Sequence, residues 1–202
     1  MMAKNEKKDV YKVYDKIANW FALNRSTRMS EARYLDLLID EIPANGNVLD
    51  LGCGTGKPIL GYLLTRGLSV TGVDGSERIL EIASANFPST EFIRQDMRLM
   101  NLNRQFDAII AWDSFFHLPV EDQPAMFAVF EGHLNPGGVL IFTSGTEHGE
   151  AWGMNGGENL FHASLDQQAY QDLLDKHHFQ ILKYIVNDPD CDRTVWMAKL
   201  KH

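Results

Sequence analysis

The stretch "NVLDLGCGTGKPIL", Asn47 to Leu60, holds an apolar run, three glycines in five residues and then a second apolar run. A short apolar run stopped by glycine reads as a buried strand, and the run after Pro58 reads as a helix whose first turn tolerates proline. Glycines this dense between strand and helix let backbone approach a ligand closely. A nucleoside triphosphate is a poor match: Gly52 to Gly56-Lys57 is one residue short of a P-loop, and Pro58 stands where the magnesium-binding hydroxyl belongs. A dinucleotide fits weakly, because Lys57 holds the place of the third glycine and Asp50 would repel the pyrophosphate.

A cofactor without phosphate suits these residues better. Asp50 can face an ammonium, while Gly52 and Gly54 allow close backbone approach. The helix N-terminus after Gly56 offers amides and a positive dipole end to polar groups. The strand "LSVTGVD" ends in Asp74, at about the spacing of 20 residues at which a carboxylate accepts ribose hydroxyls. After the next strand, "RQDM" supplies Asp96 as an acceptor for an adenine amino group and Met97 as an apolar ring contact. Together these positions suit an ammonium, a carboxylate, a sulfonium and an adenosine.

The pattern continues outward on both sides. Strands are expected at 47–52, 68–74, 91–96, 106–113 and 136–145, and helices at 76–87 (capped by Ser76) and 120–134. Continuous apolar strands alternating with amphipathic helices indicate a parallel sheet covered on both faces. Upstream, residues 1–10 read as a polar start. Residues 11–25 place Val13, Ile17, Trp20 and Phe21 at helical spacing, and a second helix ends before Pro43. The tail holds a helix over 164–179 and two strands, 180–187 and 194–201, whose short connection allows an antiparallel pair. Ahead of that helix, 144–163 reads as a long glycine-rich loop. It is either mobile surface carrying His148 and His162, or a substrate lid hinged at Gly149, Gly153, Gly156 and Gly157.

The ordered set "VLDLGCGTG", "VTGVDGS", "RQDM", "FDAIIAWDSFFHLP" and "LNPGGVLIF" resembles the class I S-adenosylmethionine-dependent methyltransferases over most of residues 47–145. The resemblance implies an α/β, Rossmann-like doubly wound sheet of seven mostly parallel strands in order 3-2-1-4-5-7-6, the last antiparallel, with helices on both faces. It implies S-adenosyl-L-methionine as cofactor, S-adenosyl-L-homocysteine as product, and a small-molecule acceptor. The cofactor set is then Asp50, Gly52, Cys53, Gly54, Asp74, Gly75, Asp96, Met97, Asp113 and Tyr14, the last from an N-terminal helix lying over the cofactor. Arg25 or Arg28 could meet the cofactor's carboxylate. "DSFFHL" resembles a loop bordering the sulfonium and the substrate, so His117 and Asp113 are the catalytic candidates.

Composition narrows the partners. The 202 residues suit one domain, 1–202, with 1–42 as a helical lid. A net charge of -8 disfavours nucleic acid. The N-terminus is charged and not followed by an apolar run, and no stretch approaches the ~18 apolar residues of a membrane helix, so a cytoplasmic protein without membrane contact is expected. Cys53 and Cys191 offer neither a disulfide framework nor metal-ligand spacing, and no metal is expected. A monomer or homodimer fits this size. The rival classes are a non-catalytic binder of the same cofactor, a nicotinamide oxidoreductase and an aminopropyl transferase.

Overall fold

The computed structural model describes residues 7–26 and 28–201. Residues 1–6, most of the expected polar start, lie outside them. Strand β1 (Asn47–Leu51) pairs in parallel with β2 (Ser69–Asp74) on one side and β4 (Phe106–Ala111) on the other. β3 (Glu91–Arg94) extends the sheet beyond β2, and β5 (Leu134–Ser144) beyond β4. The tail strands β8 (Phe179–Asp188) and β9 (Arg193–Leu200) close the order β3-β2-β1-β4-β5-β9-β8, with β9 antiparallel to both neighbours. Counting only sheet strands, this is the order that the resemblance implies.

The sheet is a two-sided wall because its strands are apolar on both faces, and the period of two assigns each residue to a side. Leu49, Leu51, Ile109, Phe142 and Trp196 pack with Phe127, Phe130, Tyr170 and Leu174 of α5 (Gln123–His133) and α6 (Gln167–Lys176). Val48, Ile110, Ile141 and Val195 face the other way. They pack on Tyr34, Leu35 and Leu38 of α2 (Ala32–Glu41) and on Ile59, Leu60 and Leu63 of α3 (Ile59–Thr65). α4 (Glu77–Asn86) starts where expected, with the Ser76 hydroxyl accepting from the Ile79 amide at 3.2 Å.

Two expectations need correction. Residues 144–163 are not a structureless loop: β6 (Gly149–Asn155) and β7 (Glu158–Ser164) form an antiparallel hairpin, a separate two-stranded sheet. Its turn is Gly156-Gly157, both at positive φ, which suits a two-residue hairpin turn. Of the four glycines that suggest a hinge, Gly156 and Gly157 form this turn, while Gly149 and Gly153 lie within β6. In α1 (Val10–Asn24) the buried residues are Val10, Ile17 and Ala18, whereas Trp20 of the expected stripe is 40% exposed. The helix rests on the hairpin and the start of α4 rather than on the main core, so its buried face is narrow.

α1 crosses the edge where β1, β2, β3 and β4 all end. Asp15 ties it there, accepting from the Ser76 hydroxyl at 2.6 Å and the Arg78 amide at 3.1 Å. Among the described residues no helix is long and apolar enough to cross a membrane.

Candidate functional site

At the carboxyl ends of parallel strands the chain turns outward and leaves a crevice, the usual ligand position in such sheets. Here a cleft of about 730 Å³ runs from Met97 and Asp96 past Asp74 and Gly75 to Gly52 and Gly54, roofed by Tyr11, Tyr14 and Phe21 of α1. A second cleft of about 990 Å³ continues it past Asp50, Cys53, Asp113 and His117. Every expected cofactor and catalytic residue lines one or both.

The loop after β1 is held from several sides. Gly52 has φ +78°, and a Cβ there would lie 2.2 Å from that of Ser114. Its need for glycine is thus set by the neighbouring loop, whereas Gly54, at φ +55°, faces Phe21 of α1. Asp74 clamps the turn: one oxygen accepts from the Gly54 amide at 3.1 Å and the other from the Ser76 amide at 2.9 Å. Burial still raises its pKa to about 6 against these bonds. Cys53 packs its thiol on Leu80, Ala83 and Phe92, where burial pushes the thiol pKa well up.

Asp96 is less open than the sequence suggests. Its oxygens accept from Arg98, at 3.0 Å from the amide and 2.5 Å from Nη2. Arg98 also reaches Asp122 at 2.9 Å and the Lys8 carbonyl at 2.6 Å. Arg98 has no sequence signal of its own; only the fold assembles this charged knot beside Met97.

Asp50 is the contrasting carboxylate. It is 3% exposed and has no hydrogen-bond partner among the described residues, although it borders the second cleft. Burial first, and then the Asp74 charge, raise its pKa to about 7, with Arg25 opposing. A raised carboxyl pKa contributes stability that is full below the ordinary value, 3.8, and is lost as pH rises through about 7. Asp50→Asn is therefore expected to stabilise the ligand-free chain by about 2–4 kcal/mol at pH 8, with the gain shrinking steadily toward pH 5. Urea unfolding across that range checks it; a gain that does not vary with pH would show that Asp50 is solvated or paired.

Asp113 and His117 follow β4. Asp113 sits at φ +52° and is gripped by Arg193, with Nε at 2.5 Å and Nη2 at 3.1 Å, and by Arg25 at 3.2 Å. Burial alone would raise its pKa, but the two guanidiniums more than offset that and hold it low. It is a fixed anion joining α1 to β9. His117 has both ring nitrogens engaged: Nδ1 lies 2.8 Å from the Phe161 carbonyl and Nε2 lies 3.0 Å from the Tyr14 hydroxyl. The carbonyl can only accept, so Nδ1 carries the proton and Nε2 accepts from Tyr14. Burial lowers the His117 pKa to about 4, and burial likewise raises that of Tyr14.

Other lining residues were harder to read from sequence. Arg193 and His162 meet Asp113 and His117 from the tail and the hairpin. His162 lies in the stretch read as a loop, and Arg193 had no local motif. Phe21, assigned to a helix stripe, covers both clefts.

Comparison with known proteins agrees with this geometry. Residues 48–138 match the family described as "Methyltransferase domain". Trans-aconitate 2-methyltransferase of Deinococcus radiodurans is 35% identical over 130 residues, covering 63% of this chain and 48% of that one. The chain spans about half the length of the curated relatives it matches. Among solved structures, magnesium protoporphyrin IX methyltransferase from Synechocystis PCC 6803 with bound SAM superposes with a TM-score of 0.75 at 17% identity, covering 100% of both chains. SAM-bound CalS10, an amino pentose methyltransferase from Micromonospora echinaspora, gives 0.72 at 20%, covering 93% of this chain and 96% of that one. At such identities the structural likeness is one of fold.

Proposed function

We propose that this chain is a class I S-adenosylmethionine-dependent methyltransferase that transfers the methyl group of S-adenosylmethionine to a small-molecule acceptor. The observation that carries the reading is Asp50: a buried carboxylate without a protein partner, at the end of a cleft whose other end is floored by Met97. A buried charge this costly to keep unpaired fits a site that awaits a cation, here the cofactor's ammonium.

Asp74 would accept the ribose hydroxyls, Met97 would pack on the adenine with Asp96 at its edge, and the Gly52–Gly54 backbone would follow the chain between. Arg25, just past the end of α1, lines the second cleft together with Asp50 and suits the cofactor's carboxylate. When bound, S-adenosylmethionine supplies a methyl group already activated by its sulfonium. The protein's part is to orient the acceptor and keep water out. α1 and the β6–β7 hairpin are the covers for that purpose, and the relatives' named acceptors, an aconitate, an amino pentose and a metalloporphyrin, support a small molecule.

Titration calorimetry tests the reading. The chain is expected to bind S-adenosylhomocysteine with Kd on the order of 1–100 μM, the usual range of such ligands, and to bind NAD and ATP at least about tenfold more weakly. NAD affinity equal to that for S-adenosylhomocysteine would transfer the reading to an oxidoreductase. Binding without any labelled-methyl transfer across a metabolite screen would favour a non-catalytic binder.

A further inference from the structure

A third cleft, of about 1000 Å³, opens on the far side of the second, between the end of β5 and the hairpin. The two share Phe116, His162 and Arg193, so they meet at one wall. This outer cleft lies away from Asp74, Asp96 and Met97, and nothing in the cofactor's outline calls for it.

His162 is the notable group at that wall. Its ring lies 4.8 Å from that of His117 and 5.4 Å from that of Phe116, centroid to centroid. Its ring leans on the Leu160 carbonyl, which can only accept, so one nitrogen keeps the proton and the other is open, unlike His117, whose nitrogens are both taken. The neighbouring strand leaves room for it: a Cβ at Gly153 would approach its Cε1 at 3.3 Å.

The charges of the outer cleft favour a cation. Arg193 is the only lysine or arginine among its lining residues, and it is already committed to Asp113 and to the Asp192 carbonyl. Glu150 pairs with Lys7, while Glu147 has no ion pair among the described residues. A carboxylate acceptor would find no free positive partner there, and an ammonium would find Glu147.

Resting on the methyltransferase reading, we infer that the outer cleft is the acceptor subsite, that it takes a primary or secondary amine, and that His162 receives the proton the amine must lose. The amine enters as its ammonium and gives one N–H proton to the His162 imidazole. The freed lone pair forms the nitrogen–carbon bond to the methyl group as the carbon–sulfur bond breaks, its electron pair staying on sulfur. The imidazolium then returns its proton to solvent. Burial lowers the pKa of His162, while the Leu160 carbonyl and Asp113 oppose and Arg193 adds a smaller lowering, so the ring is neutral at neutral pH and has a lone pair to offer the ammonium. His117, the other group facing it, is neutral too.

The test uses the full chain saturated with S-adenosylhomocysteine and three probes that share one ring: benzylamine, benzyl alcohol and benzoate. Calorimetry is expected to show benzylamine binding at least about tenfold tighter than benzoate, and Glu147→Lys is expected to erase that preference. With labelled S-adenosylmethionine, His162→Gln is expected to slow methyl transfer to benzylamine by about 10²-fold while benzylamine and S-adenosylhomocysteine affinities stay within about threefold. Equal or tighter binding of benzoate, no binding of benzylamine, or Glu147→Lys behaving as wild type would overturn the amine subsite. Absence of transfer from the wild type, or equal rates in His162→Gln, would overturn the proton step. Loss of S-adenosylhomocysteine binding by the wild type would instead count against the methyltransferase reading itself.

Discussion

Asp74→Ala is expected to weaken S-adenosylhomocysteine binding by about 10²–10⁴-fold, the largest loss of any single change in the cofactor cleft. Two charge-assisted hydrogen bonds to ribose are worth about 1.5–3 kcal/mol each, which converts to that range. The structure adds a second route to the same loss. Asp74 also holds the amides of Gly54 and Ser76, so the alanine frees the glycine loop after β1. Asp96→Ala should cost much less, because Arg98 already occupies the Asp96 oxygens and keeps Asp122 and the Lys8 carbonyl as partners. Calorimetry on both variants, with circular dichroism as a check on folding, decides the matter. A change under about threefold in Asp74→Ala, with the fold intact, would remove Asp74 from the ribose site.

His117→Ala is expected to lower turnover by about 10²-fold on an acceptor found by labelled-methyl screening, with little change in cofactor affinity. The mechanism expected is positioning. His117 bridges α1 to the hairpin through Tyr14 and the Phe161 carbonyl, and its loss leaves two buried polar groups without partners. Two consequences separate this from proton abstraction. With a pKa near 4, His117 stays neutral across the working range, so the loss should be the same at pH 6 and pH 9. Tyr14→Phe should cost less, and the double variant should be no worse than His117→Ala alone, since both act through one bond. Additive losses, or a wild-type profile with a titration that His117→Ala abolishes, would return His117 to the role of general base. The lowered pKa also carries a sign for stability. The stabilisation from keeping this ring neutral is present above the ordinary histidine value, 6.5, and is lost as pH falls toward 4.

How far the fold was legible depends on how local its causes are. β1, β2, β4 and β5 are buried on both faces, and such strands leave continuous apolar runs that need no partner to be recognised. Asp50 and Asp74 were readable because each stands at a strand's end in a parallel sheet, where position along the chain already implies position in the crevice. The hairpin escaped because its exposed strand β6, "GEAWGMN", holds two glycines and no β-branched residue. What fixes it is packing on α1, where a Cβ at Gly156 would lie 3.1 Å from Trp20 Cδ2.

The sequence by itself therefore determined the strands of a parallel sheet and the carboxylates at their ends, consequences of local apolar pattern and of turns that only glycine makes easily, while the strand order came from the family resemblance. Tertiary structure alone decided the charge states and commitments of those groups. Arg193 reaches Asp113 across 80 residues of chain, and Tyr14 reaches His117 across 103. Asp50 is left unpaired while Asp96 is tied to Arg98, though in the sequence the two look alike. The physical reason is that a side chain's pKa and free hydrogen-bonding capacity depend on burial and on which partners lie within a few ångströms. Both are set when distant segments pack together.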